Sequence, residues 1–180
     1  KNFAQWLTDP AVSLWCEDEV HFQRHSTLTR MWALRGQQPR VRSPSTREKL
    51  GYFGALELRT GRLLTQRAPT FNAETFHAFL CHLLEHTTGP IRLILDNASW
   101  HKARELKAFF AEHSSRLIRC FLPPYSPELN PIERVWRIAR RQVTHNRYFA
   151  SLEEQAEALE TQFRKWEQPN HALRTLCASI

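Results

Sequence analysis

The sequence lacks the features on which several classes of protein depend. Its 180 residues include only 4 cysteines, far apart and without a C-x-x-C pair, which argues against a disulfide framework and a zinc knuckle. No apolar run approaches the roughly 18 residues that a membrane helix needs. Glycine is scarce, with 5 residues, while 42% of the chain is hydrophobic and 24% charged, so disordered and collagen-like classes fit poorly. We expect one globular cytoplasmic domain with reduced thiols.

Positive charge is in excess, and it is unevenly distributed. The formal net charge is +7. Residues 24–49 hold seven basic side chains and one acidic one, and residues 116–150 hold seven arginines and two glutamates. Two basic segments in an otherwise acidic chain indicate a surface that binds a polyanion, although a solvated basic surface is an equally common explanation.

The periodicity of the apolar residues predicts an α/β fold. Strands are predicted at 14–22, 31–34, 51–58, from 62, at 91–95 and at 117–122, and helices from Ala73 to Gly89-Pro90, at about 100–113, from Asn130-Pro131 and from Ser151. Asn130 is the expected N-cap of the third helix, with Pro131 at its first position. Ser151, with Glu154 three residues later, is the expected cap of the fourth. A three-stranded meander followed by alternating helices and strands predicts a mixed sheet with helices on both faces.

Three acidic residues occupy positions at which such a sheet places ligand sites. Asp18 lies in or at the end of the first strand, Asp96 directly follows a buried strand, and Glu133 lies in the first turn of a helix. Each has a plain structural alternative. Asp18 could belong to a solvated acidic turn, Asp96 could make a turn, and Glu133 could pair with Arg137 or complete the Asn130 cap.

The combination of the three acids favours metal chemistry over three separate structural roles. Carboxylates that lie close together repel one another unless a divalent cation neutralises them, and a set of oxygen ligands suits Mg²⁺ or Mn²⁺. Two such ions roughly 4 Å apart can activate a hydroxyl group and stabilise the leaving oxygen of a phosphodiester. Phosphate chemistry on a polyanion would also give the basic segments a function.

Three blocks of sequence resemble a known family. Residues 17–22 read EDEVHF, residues 95–101 LDNASWH and residues 125–133 YSPELNPIE. They closely resemble the three signature blocks of DDE transposases of the mariner superfamily, in its bacterial insertion-sequence branch. Residues 30–36, RMWALRG, are similar to the second strand of that family. The resemblance covers about residues 14–150, and the third block is the most specific.

The resemblance implies a ribonuclease-H-like fold in which Asp18, Asp96 and Glu133 are the catalytic residues and hold two magnesium ions, with manganese as a substitute. Asp18, rather than Glu17 or Glu19, is assigned to catalysis because it matches the Asp-Glu pair of the family. The family positions near the metals fall on Asn97, His101 and Asn130, which would contact substrate or order water. The implied domains are a lead-in at 1–13, the catalytic domain at 14–150 and a helical extension at 151–180 packed on it.

The implied activity is DNA transposition. Such enzymes hydrolyse DNA at transposon ends and join the freed 3′-hydroxyl to target DNA, in this superfamily at a TA dinucleotide, as a homodimer in the synaptic complex. The expected partner is therefore double-stranded DNA in the bacterial cytoplasm, at the nucleoid. Phosphate contacts are assigned to five arginines: Arg30, Arg35, Arg134, Arg137 and Arg141.

Two alternatives to an active transposase remain. The first is a non-catalytic or domesticated DNA-binding relic that keeps the fold. The second rests on His82, Glu85 and His86, which fit the H-x-x-E-H pattern of a family of zinc peptidases. We favour an ordinary amphipathic helix there, because Leu83 and Leu84 between them belong to its apolar face. The chain begins at Lys1 and its single methionine is Met31, so we expect it to be a piece, or a trimmed form, of something longer. The family that it resembles normally carries an N-terminal helix-turn-helix region that reads the terminal repeats, and the given sequence does not contain it.

Overall fold

A computed structural model describes residue 9 and residues 11–177 of the chain, so most of the predicted 1–13 lead-in lies outside the described residues. Five strands form one sheet in the order β3-β2-β1-β4-β5. They are β1 (Ser13–Gln23), β2 (Lys49–Glu57), β3 (Leu63–Ala68), β4 (Ile91–Leu95) and β5 (Leu117–Phe121). The first three pair antiparallel, whereas β4 is parallel to both β1 and β5. The predicted mixed sheet is confirmed.

Helices cover both faces of the sheet. They are α1 (Ala73–Glu85), α2 (Lys107–Glu112), α3 (Ile132–Ala139), α4 (Leu152–Trp166) and α5 (His171–Cys177). The apolar residues of α1 and α2 pack on one side, here called the α1 face, and those of α3, α4 and α5 pack on the other, the α3 face. None of the described helices is long and apolar enough to cross a membrane.

The central strand β1 shows how the sequence divides between the two faces. Its even-numbered residues, among them Cys16, Val20 and Phe22, are buried on the α3 face, whereas Trp15 is buried on the α1 face. Successive side chains of a strand point to opposite faces, so the pattern follows from the strand geometry. Helices cover both faces, but only the α3 face of β1 is mainly apolar; on the α1 face Trp15 is followed by the acids Glu17 and Glu19.

Two of the helices begin where their capping residues predict. In α1 the side chain of Asn72 accepts a hydrogen bond from the backbone N–H of Thr75, and the Thr75 hydroxyl accepts one from the Asn72 N–H. In α4 the Ser151 hydroxyl accepts from the N–H of Glu154, as predicted. Each cap satisfies backbone donors that the first turn of a helix leaves without partners.

The strand predicted at residues 31–34 is wrong. This stretch has no regular structure, and Met31, Trp32 and Leu34 are exposed. The physical reason is the pairing of the sheet: Gln23 at the end of β1 pairs directly with Lys49 at the start of β2. The other edge of β1 is taken by β4, and that of β2 by β3, so neither strand has a free edge for the segment between them.

Two further local predictions need correction. The helix predicted at about 100–113 is broken into two short 3-10 turns, Ser99–Lys102 and Arg104–Leu106, followed by the short helix α2. Asn130 does not cap α3 with its side chain; the helix begins at Ile132, and the Asn130 side chain donates to the carbonyl of Glu17 in β1. At Asn130 a long-range contact replaces the local one that the sequence pattern predicts.

Candidate active site

The register of the sheet brings two of the three predicted acids together. Cys16 in β1 pairs with Ile94 in the parallel strand β4, and both residues belong to the core on the α3 face. Two residues further along each strand, on this same face, come Asp18 and Asp96. They therefore lie side by side at the carboxyl end of β4, where a sheet with parallel strands places its ligand site.

The third acid reaches this site from α3. The buried side of the helix, including Ile132, Val135 and Trp136, packs on the α3 face, and Glu133 in its first turn stays half-buried at the border. Asp18, Asp96 and Glu133 line one cavity of about 410 Å³. The structure thus joins side chains that are distant in sequence in a single open pocket.

The pocket has one acidic wall and one wall that is largely apolar. The second wall is the connection from β5 to α3. Its lining residues are Leu122, Pro123, Pro124, Tyr125, Ser126 and Pro127. Tyr125 is fully exposed and has a positive φ of 56°, which is uncommon for a bulky residue. A phosphodiester at the carboxylates would therefore have an apolar surface beside it.

Trp136 fixes the side chain of Asp18. The indole Nε1 donates a hydrogen bond of 3.0 Å to Asp18 Oδ2. The indole ring can approach because Gly54 is the β2 partner of Asp18: a Cβ atom at Gly54 would lie 2.3 Å from the Trp136 ring. The sequence pattern predicts Trp136 only as part of the apolar side of α3, so this polar role was missed. Neither residue carries a local signal, since the contact depends on strand register.

The surroundings of Asp18 disfavour the charged form of its carboxyl group. Its pKa is raised to about 8, mainly because burial disfavours the charged form and further because Glu133 and Glu19 are negative neighbours. The hydrogen bond from Trp136 acts in the opposite direction. Carboxylate oxygens are hard ligands, and a bound cation would offset the unfavourable charge of these acids. The donor set therefore fits Mg²⁺ or Mn²⁺.

Asp96 is held in place by its own turn. Its Oδ1 accepts a hydrogen bond of 2.8 Å from the backbone N–H of Ala98 and lies 3.0 Å from Nδ1 of His101. The side chain remains about half exposed to the pocket. Asp96 thus differs from Asp18, which is largely enclosed by protein.

The three neighbouring residues predicted to contact substrate or water have different surroundings. Asn97 lines the pocket, donates to the Leu122 carbonyl and accepts from Lys102 Nζ at 2.6 Å. Asn130 also lines the pocket, and its Oδ1 is buried without a hydrogen-bond partner among the described residues. His101 is fully buried and is not part of the pocket lining, so its part in contacting substrate or ordering water stays a prediction. Its ring reaches Asp96.

A second acidic group lies behind the pocket, on the α1 face. Glu17 is fully buried, and neither of its carboxyl oxygens has a hydrogen-bond partner among the described residues. Burial raises the pKa of Glu17 well above its usual range, with Glu19, Asp18 and Asp96 as further causes. Ligand atoms of Glu17, Glu19 and His101 lie within 4.8 Å of one another. This group was not predicted, since the sequence pattern presents Glu17 and Glu19 only as neighbours of Asp18.

The predicted DNA-contacting arginines fall into three environments. Arg137 and Arg141 are exposed on α3 and the π-helical turn that follows it. Arg134 is half-buried and donates to the Leu176 carbonyl of α5. Arg30 and Arg35 are exposed in the segment between β1 and β2 that has no regular structure around them. The exposed four can reach a phosphate backbone from the surface of the domain.

The alternative metal motif lies elsewhere in the fold. His82, Glu85 and His86 lie at the end of α1, with ligand atoms within 4.8 Å of one another. Leu83 and Leu84 between them are buried in the core, as the amphipathic interpretation predicts. The pocket that holds the three predicted acids contains none of these residues.

Comparisons of sequence place the chain in a family. Residues 13–155 match the family model of the DDE superfamily endonucleases. The chain is 33% identical over 139 residues to the insertion element IS630 uncharacterized 39 kDa protein of Shigella sonnei, a match that covers 76% of this chain and 40% of that protein. It is 42% identical over 104 residues to the uncharacterized protein y4pE/y4sA of Sinorhizobium fredii (strain NBRC 101917 / NGR234), covering 57% and 73%.

Comparisons of structure identify the fold. The Mos1 transposase in a paired-end complex with the left transposon end aligns with a TM-score of 0.65 at 16% identity, over 92% of this chain and 53% of that one. The catalytic core domain of BIV integrase aligns with a TM-score of 0.52 at 16% identity, over 82% and 81%. The chain spans 40% of the Shigella relative and about half of the Mos1 chain. The chain therefore belongs to the DDE superfamily endonucleases, and it has the ribonuclease-H-like fold that it shares with the Mos1 transposase and the BIV integrase core.

Proposed function

We propose that this chain is the catalytic domain of a transposase, which uses divalent metal ions to hydrolyse phosphodiesters at transposon ends and to transfer the 3′-hydroxyl to target DNA. The observation that carries the proposal is the convergence of Asp18, Asp96 and Glu133 in one pocket. Membership of the DDE superfamily endonucleases, the insertion-element relative and the structural similarity to the Mos1 transposase support it. The target is expected to contain a TA dinucleotide, as in the family that the chain resembles.

The three carboxylates would hold two magnesium or manganese ions. When bound, the ions would supply activation of a water or 3′-hydroxyl and stabilisation of the leaving oxygen. The chain itself contributes orientation: Trp136 fixes the Asp18 carboxylate, and the apolar wall of the pocket around Leu122 and Pro123 would lie beside the reacting phosphate. Precise placement of the reacting groups is a large part of phosphoryl-transfer catalysis.

The basic residues would hold the DNA substrate across this pocket. Arg137 and Arg141 are exposed on and just after the helix that also carries Glu133, so a phosphate backbone lying along it would pass the site. Such contacts give affinity and register but no sequence readout. Recognition of the terminal repeats would then depend on a region outside this chain, and pairing of two ends would require a homodimer. A protein with these tasks would act on the bacterial chromosome, in the cytoplasm.

The direct test is strand cleavage and joining on pre-cut DNA ends. We expect the wild-type chain to nick or join such ends with Mg²⁺ or Mn²⁺ and to be inactive in EDTA. Asp96→Asn should lower the rate at least a hundredfold and leave DNA affinity within about twofold, because it removes a metal ligand and no phosphate contact. Glu112→Gln, an exposed acid on α2, is the matched control and should keep full activity.

The same experiment separates the proposal from a DNA-binding relic. If wild type and Asp96→Asn bind DNA and show the same background of cleavage, the chain is a non-catalytic DNA-binding protein. Sequencing of the joined products tests the TA expectation, since an active enzyme of this type should leave most insertions at TA.

A further inference from the structure

His101 connects the pocket to the buried acids behind it. The residue follows Asp96 by five positions, in the 3-10 turn Ser99–Lys102. Its Nδ1 lies 3.0 Å from Asp96 Oδ1 and 3.4 Å from the Asp96 carbonyl oxygen. Its Nε2 lies 3.1 Å from Oε1 of Glu19 and 3.4 Å from Oε2 of Glu17. One imidazole thus spans from a carboxylate on the α3 face to a carboxylate on the α1 face, around the end of β4.

The surroundings of His101 leave the ring one orientation. Phe76 of α1 packs against it with ring centroids 4.5 Å apart, and Arg119 Nη1 donates to the His101 carbonyl at 2.9 Å. Glu19 is held in turn by Trp100, whose Nε1 donates to the same Oε1 at 2.5 Å. A side chain that is buried, packed and bonded at both ring nitrogens has little freedom to move.

These contacts involve only one of the two carboxylate oxygens of Asp96. Oδ1 accepts the Ala98 N–H and lies 3.0 Å from Nδ1 of His101, so protein groups surround this oxygen. Neither of these contacts involves Oδ2, which belongs to a side chain about half exposed in the pocket. Groups that hydrogen-bond a metal ligand from behind fix its orientation and strengthen metal affinity.

We propose that His101, anchored by Glu19, is a positioning residue that fixes the Asp96 carboxylate so that Oδ2 is the oxygen presented to a divalent ion. The inference rests on the proposed function, since it takes Asp96 as a metal ligand. It assigns to His101 and Glu19 a task for which neither needs to touch substrate or metal. The chain of contacts from Glu19 through His101 to Asp96 is the feature that carries it.

Two amide substitutions of His101 test its contact with Asp96 and its contact with Glu19 separately. His101→Asn can place an amide N–H near the Nδ1 position, which faces Asp96, and loses the contact with Glu19. His101→Gln can place its amide near the Nε2 position, which faces Glu19, and loses the contact with Asp96. Mn²⁺ affinity, measured by calorimetry or paramagnetic resonance on the purified chain, should fall tenfold to a hundredfold in His101→Gln. It should fall about threefold or less in His101→Asn.

A purely structural role for His101 predicts a different result. Metal affinity would then follow thermal stability, whichever amide is present. Leu106→Ala, buried on the α1 face outside the Asp96 contacts, is the matched control: it should lower the melting temperature and leave Mn²⁺ affinity unchanged. In a cleavage assay, excess Mn²⁺ should restore most of the rate of His101→Gln, because the defect lies in metal binding. Equal Mn²⁺ affinities for the Asn and Gln variants would overturn the inference.

Other outcomes distinguish this inference from the proposed function. If wild type binds Mn²⁺ and Asp96→Asn abolishes it, but His101→Gln binds as wild type does, only the role of His101 is refuted. If Asp96→Asn binds Mn²⁺ like wild type, the proposed function itself fails. Mn²⁺ or Zn²⁺ held between Glu17, Glu19 and His101 would also overturn the inference, since His101 would then be a ligand. Should His101→Gln not fold, Phe76→Leu loosens the same ring, and affinity equal to that of Leu106→Ala would be the contradicting result.

Discussion

Neighbouring acids of β1 occupy two opposite environments. Asp18 points to the α3 face, lines the pocket and accepts a hydrogen bond from Trp136. Glu17 points to the α1 face, is fully buried, and has no hydrogen-bond partner for its carboxyl oxygens among the described residues. Burial raises the pKa of both carboxyl groups. A perturbed pKa alone therefore does not identify a metal ligand; access to the pocket decides which acid can receive a cation.

Neutralising each acid in turn should separate the two environments most clearly. Asp18→Asn should abolish Mn²⁺ binding to the pocket, whereas Glu17→Gln should leave it within about threefold, because a buried Glu17 that stays protonated already resembles glutamine. Isothermal calorimetry of the two variants measures both. Loss of Mn²⁺ binding in Glu17→Gln of unchanged stability would show that the acid behind the sheet belongs to the metal site.

The same substitution at Asp18 should stabilise the metal-free chain. The pKa of Asp18 is about 8 in the folded protein against an ordinary value of 3.8, so the folded state retains a proton that the unfolded state loses. Stability of the metal-free wild type should therefore fall as pH rises from about 4 to about 8 and then level off, by up to a few kcal/mol. In Asp18→Asn that part of the pH dependence should vanish. Denaturant unfolding in EDTA at several pH values measures it; identical pH profiles for the two proteins would contradict the raised pKa of Asp18.

A substitution on β2 tests the packing that keeps Asp18 in place. Gly54→Ala puts a Cβ atom 2.3 Å from the Trp136 ring, so the indole must move away from Asp18. We expect a loss of about 2–3 kcal/mol in the free energy of unfolding and weaker Mn²⁺ binding. Gly36→Ala serves as the control, since nothing lies within 4 Å and only its positive φ of 82° opposes the change. It should cost about 1 kcal/mol and leave Mn²⁺ binding unchanged.

A smaller effect, on DNA binding, is expected when surface arginines on the side of Asp18 are replaced. Arg137→Gln and Arg141→Gln, on the side of Asp18, should each weaken DNA binding and reduce the slope of log affinity against log salt by about 1. Lys107→Gln, an exposed cation on α2 on the opposite side, is the matched control and should change neither quantity. Filter binding over a range of salt concentrations measures the slopes; equal losses for all three variants would mean that DNA does not prefer the Asp18 side.

Much of the fold could be predicted from the sequence because its signals are local. The apolar face of α1 depends on residues a few helical turns apart, and the Ser151 cap of α4 on residues within one turn. Both predictions are confirmed. Two of the acids could be placed at the sheet because β1 and β4 read as buried strands. Glu133 could be named from its place in the first turn of a predicted helix, and the family blocks supported that choice.

The failures share a physical cause, which is competition between local and long-range contacts. Residues 31–34 have strand-like composition, but neither β1 nor β2 offers them a free edge. Asn130 has the composition of a cap, but its amide bonds β1 instead. Trp136 reads as a core residue and Glu19 as a neighbour of Asp18, whereas the family resemblance places His101 near the metals. The bond from Trp136 to Asp18 and the contacts of His101 with Glu19 and Asp96 arise only when the two faces of the sheet are assembled.

An anomalous diffraction map of crystals grown with Mn²⁺ would locate the metal site without relying on activity. We expect manganese peaks in the pocket, bound by Asp18, Asp96 and Glu133, with the Oδ2 atom of Asp96 as a ligand. Peaks only at Glu17, Glu19 and His101 or at His82, Glu85 and His86, with none in the pocket at saturating Mn²⁺, would contradict the assignment of the three carboxylates.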